Sequence, residues 1–249
     1  MLGCEAQSTP IASISTPTDA PQATSAPAVS IPDFRYGVVG NLASFLTNSD
    51  ENINFEVIDA SSNLDDFDIV VAYGIYEGWQ QSPQSHRISM ALNPNLTPLD
   101  KQRIRDLIPQ MIDAQVLIDA IGIDGVQTLT ANTPDSAGVA RTILANEGYP
   151  DGLELILATD VDLALDNLLA QFSARSIALR LINIDEAVFG ENQAHLAIFL
   201  WSQDSERETW ISEVGAENII DLWTIPISYI SSSELPLSFT ENGLPIPPQ

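Results

Sequence analysis

Tyr73, Tyr76, Trp79 and Trp201 stand at the ends of hydrophobic runs or just beyond them. Rings with an apolar face and a polar edge suit the wall of a binding cleft; core or rim packing is the competing role. Gly40 and Asn41 follow the β-type run 34–39 where a helix opens, and free backbone amides at such a junction can face an anion or carboxylate. Nothing comparable supports catalysis. Asp and Glu are so abundant that paired carboxylates select no site. No Gly-x-Ser-x-Gly elbow, His-Glu-x-x-His helix, Gly-x-x-x-x-Gly-Lys loop or Gly-x-Gly-x-x-Gly fingerprint is present. His86, beside Arg87, and His195 each open a β-type run and read as surface or satisfied histidines rather than bases. The sequence predicts a protein that is not an enzyme.

Charge narrows the partners. Nine Lys plus Arg against 34 Asp plus Glu give a formal charge of −25 over 249 residues. Nucleic acid needs a basic footprint that this chain lacks, and the acidity reads as solubility in a salty or extracellular setting. With one Cys and two distant His, neither an internal disulfide nor a Cys/His zinc site is expected, and no metal or cofactor is implied. The chain, 45% hydrophobic, is long enough for a sizeable core.

The single cysteine has a telling position. Leu2-Gly3-Cys4 matches the end of a bacterial lipobox, whose cysteine becomes acylated. Residues 5–32 are rich in Ser, Thr, Ala, Pro and Gln without apolar period, the composition of a disordered tether. The alternative is a free thiol on an arbitrary terminus. A charged and apolar signal region should precede a lipobox and is missing from this sequence. No run approaches the ~18 apolar residues that span a bilayer.

The elements that must position these residues begin near Asp33. Strands are expected at 34–39, 53–58 and 68–73, with a two-turn helix from Gly40-Asn41 through Leu46, an order that argues for a mostly parallel sheet wrapped by helices. Helices follow at 98–111 and 114–121. Thr97 can cap the first, Pro109 would kink or shorten it, and Asp113 can cap the second. A helix at 137–146 should stop at Gly148, and Tyr149-Pro150-Asp151-Gly152 has the residues of a type I turn. Strands at 153–158, 177–182 and 195–200 come next, then a helix at 205–214, another helical turn at 219–222 and an extended, proline-rich tail.

Several of these motifs occur in a meaningful order. Gly148-Tyr149-Pro150-Asp151-Gly152 follows a helix and precedes strand, helix and strand; Asn93, Pro98-Leu99-Asp100 and Ile112-Asp113 stand upstream; Trp201-Ser202-Gln203-Asp204 ends the strand downstream. Together they resemble the carboxy-terminal lobe of family 5 solute-binding proteins, the extracellular oligopeptide, dipeptide and nickel receptors of ABC importers. The resemblance covers roughly residues 68–204, and more faintly Ile225-Pro226-Ile227-Ser228-Tyr229, similar to the family's last crossing strand.

The resemblance implies an α/β, two-lobed fold of the type II periplasmic binding protein kind, much reduced, because the family's extra amino-terminal subdomain has no counterpart here. One lobe would hold 33–92 plus 222–249 and the other 93–221, with the strands divided between two sheets and the ligand between the lobes. In peptide-binding relatives the Asp of Trp-x-Ala-Asp-Tyr holds the ligand's ammonium group. The matching residue is Asp204, whose competing role is a helix N-cap. The expected ligand-binding set is Asp204, Trp201, Tyr73, Tyr76, Trp79, Asn41 and Asn93. The expected partners are a peptide or related small solute, an ABC permease, and a membrane through a lipid on Cys4. The implied protein is a monomeric, extracytoplasmic solute-binding lipoprotein; the alternative is a degenerate, ligand-free scaffold lipoprotein.

Overall fold

The computed structural model describes residues 35–40, 55–59, 62–129, 134, 136–159, 161, 164–184, 194–202, 204–232, 237–240 and 243–246. All belong to the unit Asp33–Gln249. Cys4, the tether, Asn41 and the short helix after it lie outside the described residues.

Nine strands join in one mixed sheet. They are β1 (Tyr36–Val39), β2 (Phe55–Ile58), β3 (Ile69–Tyr73), β4 (Gln80–Leu92), β5 (Gln127–Thr128), β6 (Leu153–Thr159), β7 (Ile177–Ile182), β8 (Leu196–Trp201) and β9 (Ile219–Ser231). The order across the sheet is β2-β1-β3-β9-β4-β8-β6-β7, with β5 also paired to β9. Each end is a parallel set, β2-β1-β3 and β8-β6-β7. Between them β4 and β9 run antiparallel to each other and to their outer neighbours. Two expectations are thereby corrected. The sheet is mixed rather than mostly parallel, and the strands form one continuous sheet rather than two. The physical reason is the length of β4 and β9, 13 residues each, whose backbone pairing bridges both parallel ends. A small hairpin, β10 (Ser238–Phe239) with β11 (Pro245–Ile246), follows.

Alternation along the strands fixes two faces. Ile88, Met90 and Leu92 of β4, with Leu155, Leu157, Leu196 and Ile198, face the main core. That core also receives α1 (Gln102–Gln110), α2 (Ala114–Ile121), α3 (Ala137–Asn146) and α4 (Leu165–Ser173). On the reverse side Ala91, Ala158, Ala197, Phe199 and Trp201 meet Trp210, Ile211 and Val214 of α5 (Asp204–Val214). Phe199 and Trp210 stack with centroids 4.6 Å apart, which seats α5 on β8.

Local chemistry explains most boundaries. Asp113 caps α2, its carboxylate accepting the Val116 N–H at 3.2 Å, and Gly122 ends that helix at φ 65°. The Tyr149–Gly152 turn closes through Gly152 N–H donating to the Tyr149 carbonyl at 3.2 Å. Gly152 has φ +99° and lies so close to Ser176 that a Cβ there would stand 2.4 Å from its carbonyl oxygen, so only glycine fits. The helix expected from 98 starts later, at Gln102, because residues 94–100 form turns tied to the sheet by Asn93 and His195. It ends just after Pro109, whose missing N–H cannot continue it. The helical turn expected at 219–222 is instead the start of β9, preceded by a 3-10 turn at Ala216–Asn218.

Candidate functional site

Successive residues of a strand point to opposite faces, and His86 and Arg87 in β4 show the consequence. His86 is buried on the main-core side, where Tyr73 Oη hydrogen-bonds its Nδ1 and the two rings meet edge-on at 5.3 Å. Burial, and secondarily the Glu206 carboxylate, hold the Tyr73 phenol well above its ordinary range, so it stays protonated. Arg87 is exposed on the other side, directly opposite Trp201 of β8.

Trp201 is the centre of a polar cluster. Its ring is buried, and its Nε1–H donates to Ser89 Oγ at 2.8 Å. The Ser89 hydroxyl in turn donates a hydrogen bond to Asp221 Oδ1 at 2.7 Å. Arg207, one turn into α5, grips both Asp221 oxygens, Nε to Oδ1 and Nη2 to Oδ2, each at 3.3 Å. The guanidinium carbons of Arg87 and Arg207 stand 5.1 and 5.7 Å from the Trp201 ring centroid, within cation–π range. The bulge between Ile88 and Ser89 sets Ser89 opposite Asp221, skipping Leu222 on β9, and so brings that pair under Trp201.

The other expected residues are dispersed. Tyr76 is exposed and Trp79 half-buried, their centroids 5.0 Å apart on the loop between β3 and β4. Tyr73 sits on the main-core side with His86, away from the Trp201 face. Asn93 is buried and held locally, Oδ1 accepting from Asn95 N–H at 3.1 Å and Nδ2 donating to the Ala194 carbonyl. Asp204 is exposed as the first residue of α5, inside the helix rather than at its N-cap; among the described residues its carboxylate makes no hydrogen bond or ion pair. Glu206 does the local capping work, accepting Ser202 N–H at 2.7 Å.

Arg87, Ser89, Arg207 and Asp221 were not singled out from sequence. The legible signal was the alternation of Arg87 and Ser89 in a strand destined to pair beside Trp201. His195 is a satisfied histidine: Nδ1 accepts Ile156 N–H at 3.0 Å and Nε2 meets the Thr97 carbonyl at 3.2 Å. Burial lowers its pKa, helped by Arg180 and opposed by the Thr97 bond.

No family model matches the sequence, and no curated protein matches it. Solved structures do. NikA from Staphylococcus aureus, in complex with Ni(L-His)2, is similar with a TM-score of 0.51 at 11% identity, over 76% of this chain and 60% of that one. The ABC transporter substrate binding protein CtaP from Listeria monocytogenes gives 0.49 at 9%, covering 72% and 55%. A dipeptide binding protein from Pseudoalteromonas sp. SM9913, in complex with Met-Leu, gives 0.48 at 11%, covering 72% and 49%. The chain spans about half the length of the first solved proteins it matches. At these identities the likeness is one of fold: a mixed α/β, periplasmic-binding-protein-like architecture. The structural neighbours are binding proteins rather than enzymes.

Proposed function

We propose that this protein is an extracytoplasmic solute-binding protein of an ABC importer, taking a peptide or related small solute and anchored through an acylated Cys4. The observation that carries the reading is the fold, in which two long adjacent strands, β4 and β9, lie at the centre of the sheet and join its parallel ends. We assign residues 33–92 with 222–249 to one side of a site along this one sheet and 93–221 to the other, with the solute beside β4 and β9. The Trp201 cluster, with Asp204 at the head of α5, is the polar end of the site, and Tyr76 and Trp79 of the β3–β4 loop border it. Among the described residues no group of three or more His, Cys, Asp or Glu is placed to hold a metal ion. Among the same residues no helix is long and apolar enough to cross a membrane.

A thermal-shift screen against peptides, amino acids and metal salts tests this. A ligand at ~100 times its dissociation constant adds about 2.7 kcal/mol of stability, an easily read shift. Flat responses across all three classes would instead favour a scaffold lipoprotein without a small ligand. That second reading draws support from Asn93 and Trp201, whose polar atoms are already engaged within the fold.

A further inference from the structure

We propose that Arg87, held over Trp201, is an anion subsite that takes a carboxylate of the bound solute; this rests on the solute-binding reading above. Carboxylates outnumber cations 34 to 9 in this chain, so an arginine lacks a partner only where the fold keeps carboxylates away. Among the described residues, Arg87 is the cation whose side chain meets neither a carboxylate nor any hydrogen-bond acceptor. The other eight each reach one: Glu56 for Arg35, Glu147 for Lys101 and Arg103, Glu154 for Arg180, Asp221 for Arg207, and backbone carbonyls for Arg105, Arg141 and Arg175.

Two carboxylates of the Trp201 cluster and α5 are already engaged. Asp221 is bound by Arg207 and Ser89, and Glu206 by the Ser202 N–H. Arg87 therefore stands beside a second guanidinium, on one indole, with its own donors open and its side chain exposed. A guanidinium resting on a ring keeps the in-plane fork of N–H groups that pairs bidentately with a carboxylate. Fixing that fork on Trp201 beforehand lowers the ordering cost of binding. Asp204, by contrast, is exposed at the helix start with no hydrogen-bond or ion-pair partner among the described residues, and a lone ion pair in water contributes little. Orientation of the solute falls to its anionic end.

The test uses the whole chain and a degenerate mixture of dipeptides prepared in two forms, N-acetylated with a free carboxylate or C-amidated with a free amine. In thermal shift and calorimetric titration the acetylated form binds, and the amidated form binds about tenfold or more weakly. Arg87→Gln removes that difference while leaving the denaturant midpoint in place, and Arg87→Lys, which keeps the charge but not the fork, falls between. Equal or tighter binding of the amidated form, or Arg87→Gln without effect on the acetylated form, overturns the subsite and leaves solute binding standing. Failure of both forms to bind removes both.

Discussion

The two faces of β4 solve the burial of polar groups in opposite ways. On one, Tyr73 and His86 close on each other inside the main core, shielded from water. On the other, Trp201, Ser89, Asp221 and Arg207 form a charged chain that ends at exposed Arg87. Polar groups that hydrogen-bond each other can be sealed in a core; ionised groups must be paired or reach solvent, so their cluster forms where the sheet meets a helix and water. The closed face is sealed, and on the open one Arg87 meets no hydrogen-bond acceptor among the described residues.

Trp201→Ala should break this contrast most severely. Removing the buried indole is expected to lower stability by about 3 to 5 kcal/mol, read from denaturant midpoints, and to release both guanidiniums from their seat. Tyr73→Phe keeps the ring but deletes the hydroxyl, and the buried imidazole loses that bond; about 1 to 3 kcal/mol should go, with solute binding unchanged. If Tyr73→Phe abolished binding while sparing the midpoint, the closed face would be the site instead.

Asp204→Ala separates anchoring from local helix electrostatics. As a first-turn acid it should contribute only about 0.3 to 1 kcal/mol of stability. If it holds an ammonium group, affinity for free-amine peptides should fall about tenfold; unchanged affinity would take Asp204 out of the site.

The smallest effect concerns pH and the other histidine. His195 has its pKa lowered in the folded state, so below the ordinary histidine value of about 6.5 the unfolded chain binds the proton more readily. Its contribution is present above that value and declines as pH falls below it, because burial disfavours the charged imidazolium. Midpoints measured from pH 7.5 to 5 should decline, and His195→Gln should flatten that slope; an unaltered slope in the variant would assign it to other groups.

Much of the fold was legible where local chemistry decides. The Asp113 cap, the Gly148 stop and the Tyr149–Gly152 turn follow from residues within a few positions of one another. What escaped depended on partners far apart in the chain. Residues 80–87, polar and exposed over much of their length, carry no strand pattern of their own and are strand because β9 pairs with them. Residues 219–222 read as a helical turn until that same pairing draws them out. The candidate site was half visible for the same reason. Trp201 and Asp204 were marked by a motif, whereas Arg87, Ser89 and Asp221 acquire meaning only through sheet register.

The central place of β9 also governs when the molecule can assemble. Its Ser228 hydroxyl bonds the Gly74 carbonyl across 154 positions of chain, and its backbone fills the gap between β3 and β4. At about 5 to 20 residues per second of synthesis, that partner emerges on the order of ten seconds after the strands it must join. Until then β3 and β4 have unsatisfied edges where the middle of the sheet will be. Folding of this chain is thus a late event on the ribosome's clock, and a chain interrupted before β9 would have its two parallel ends but nothing to join them.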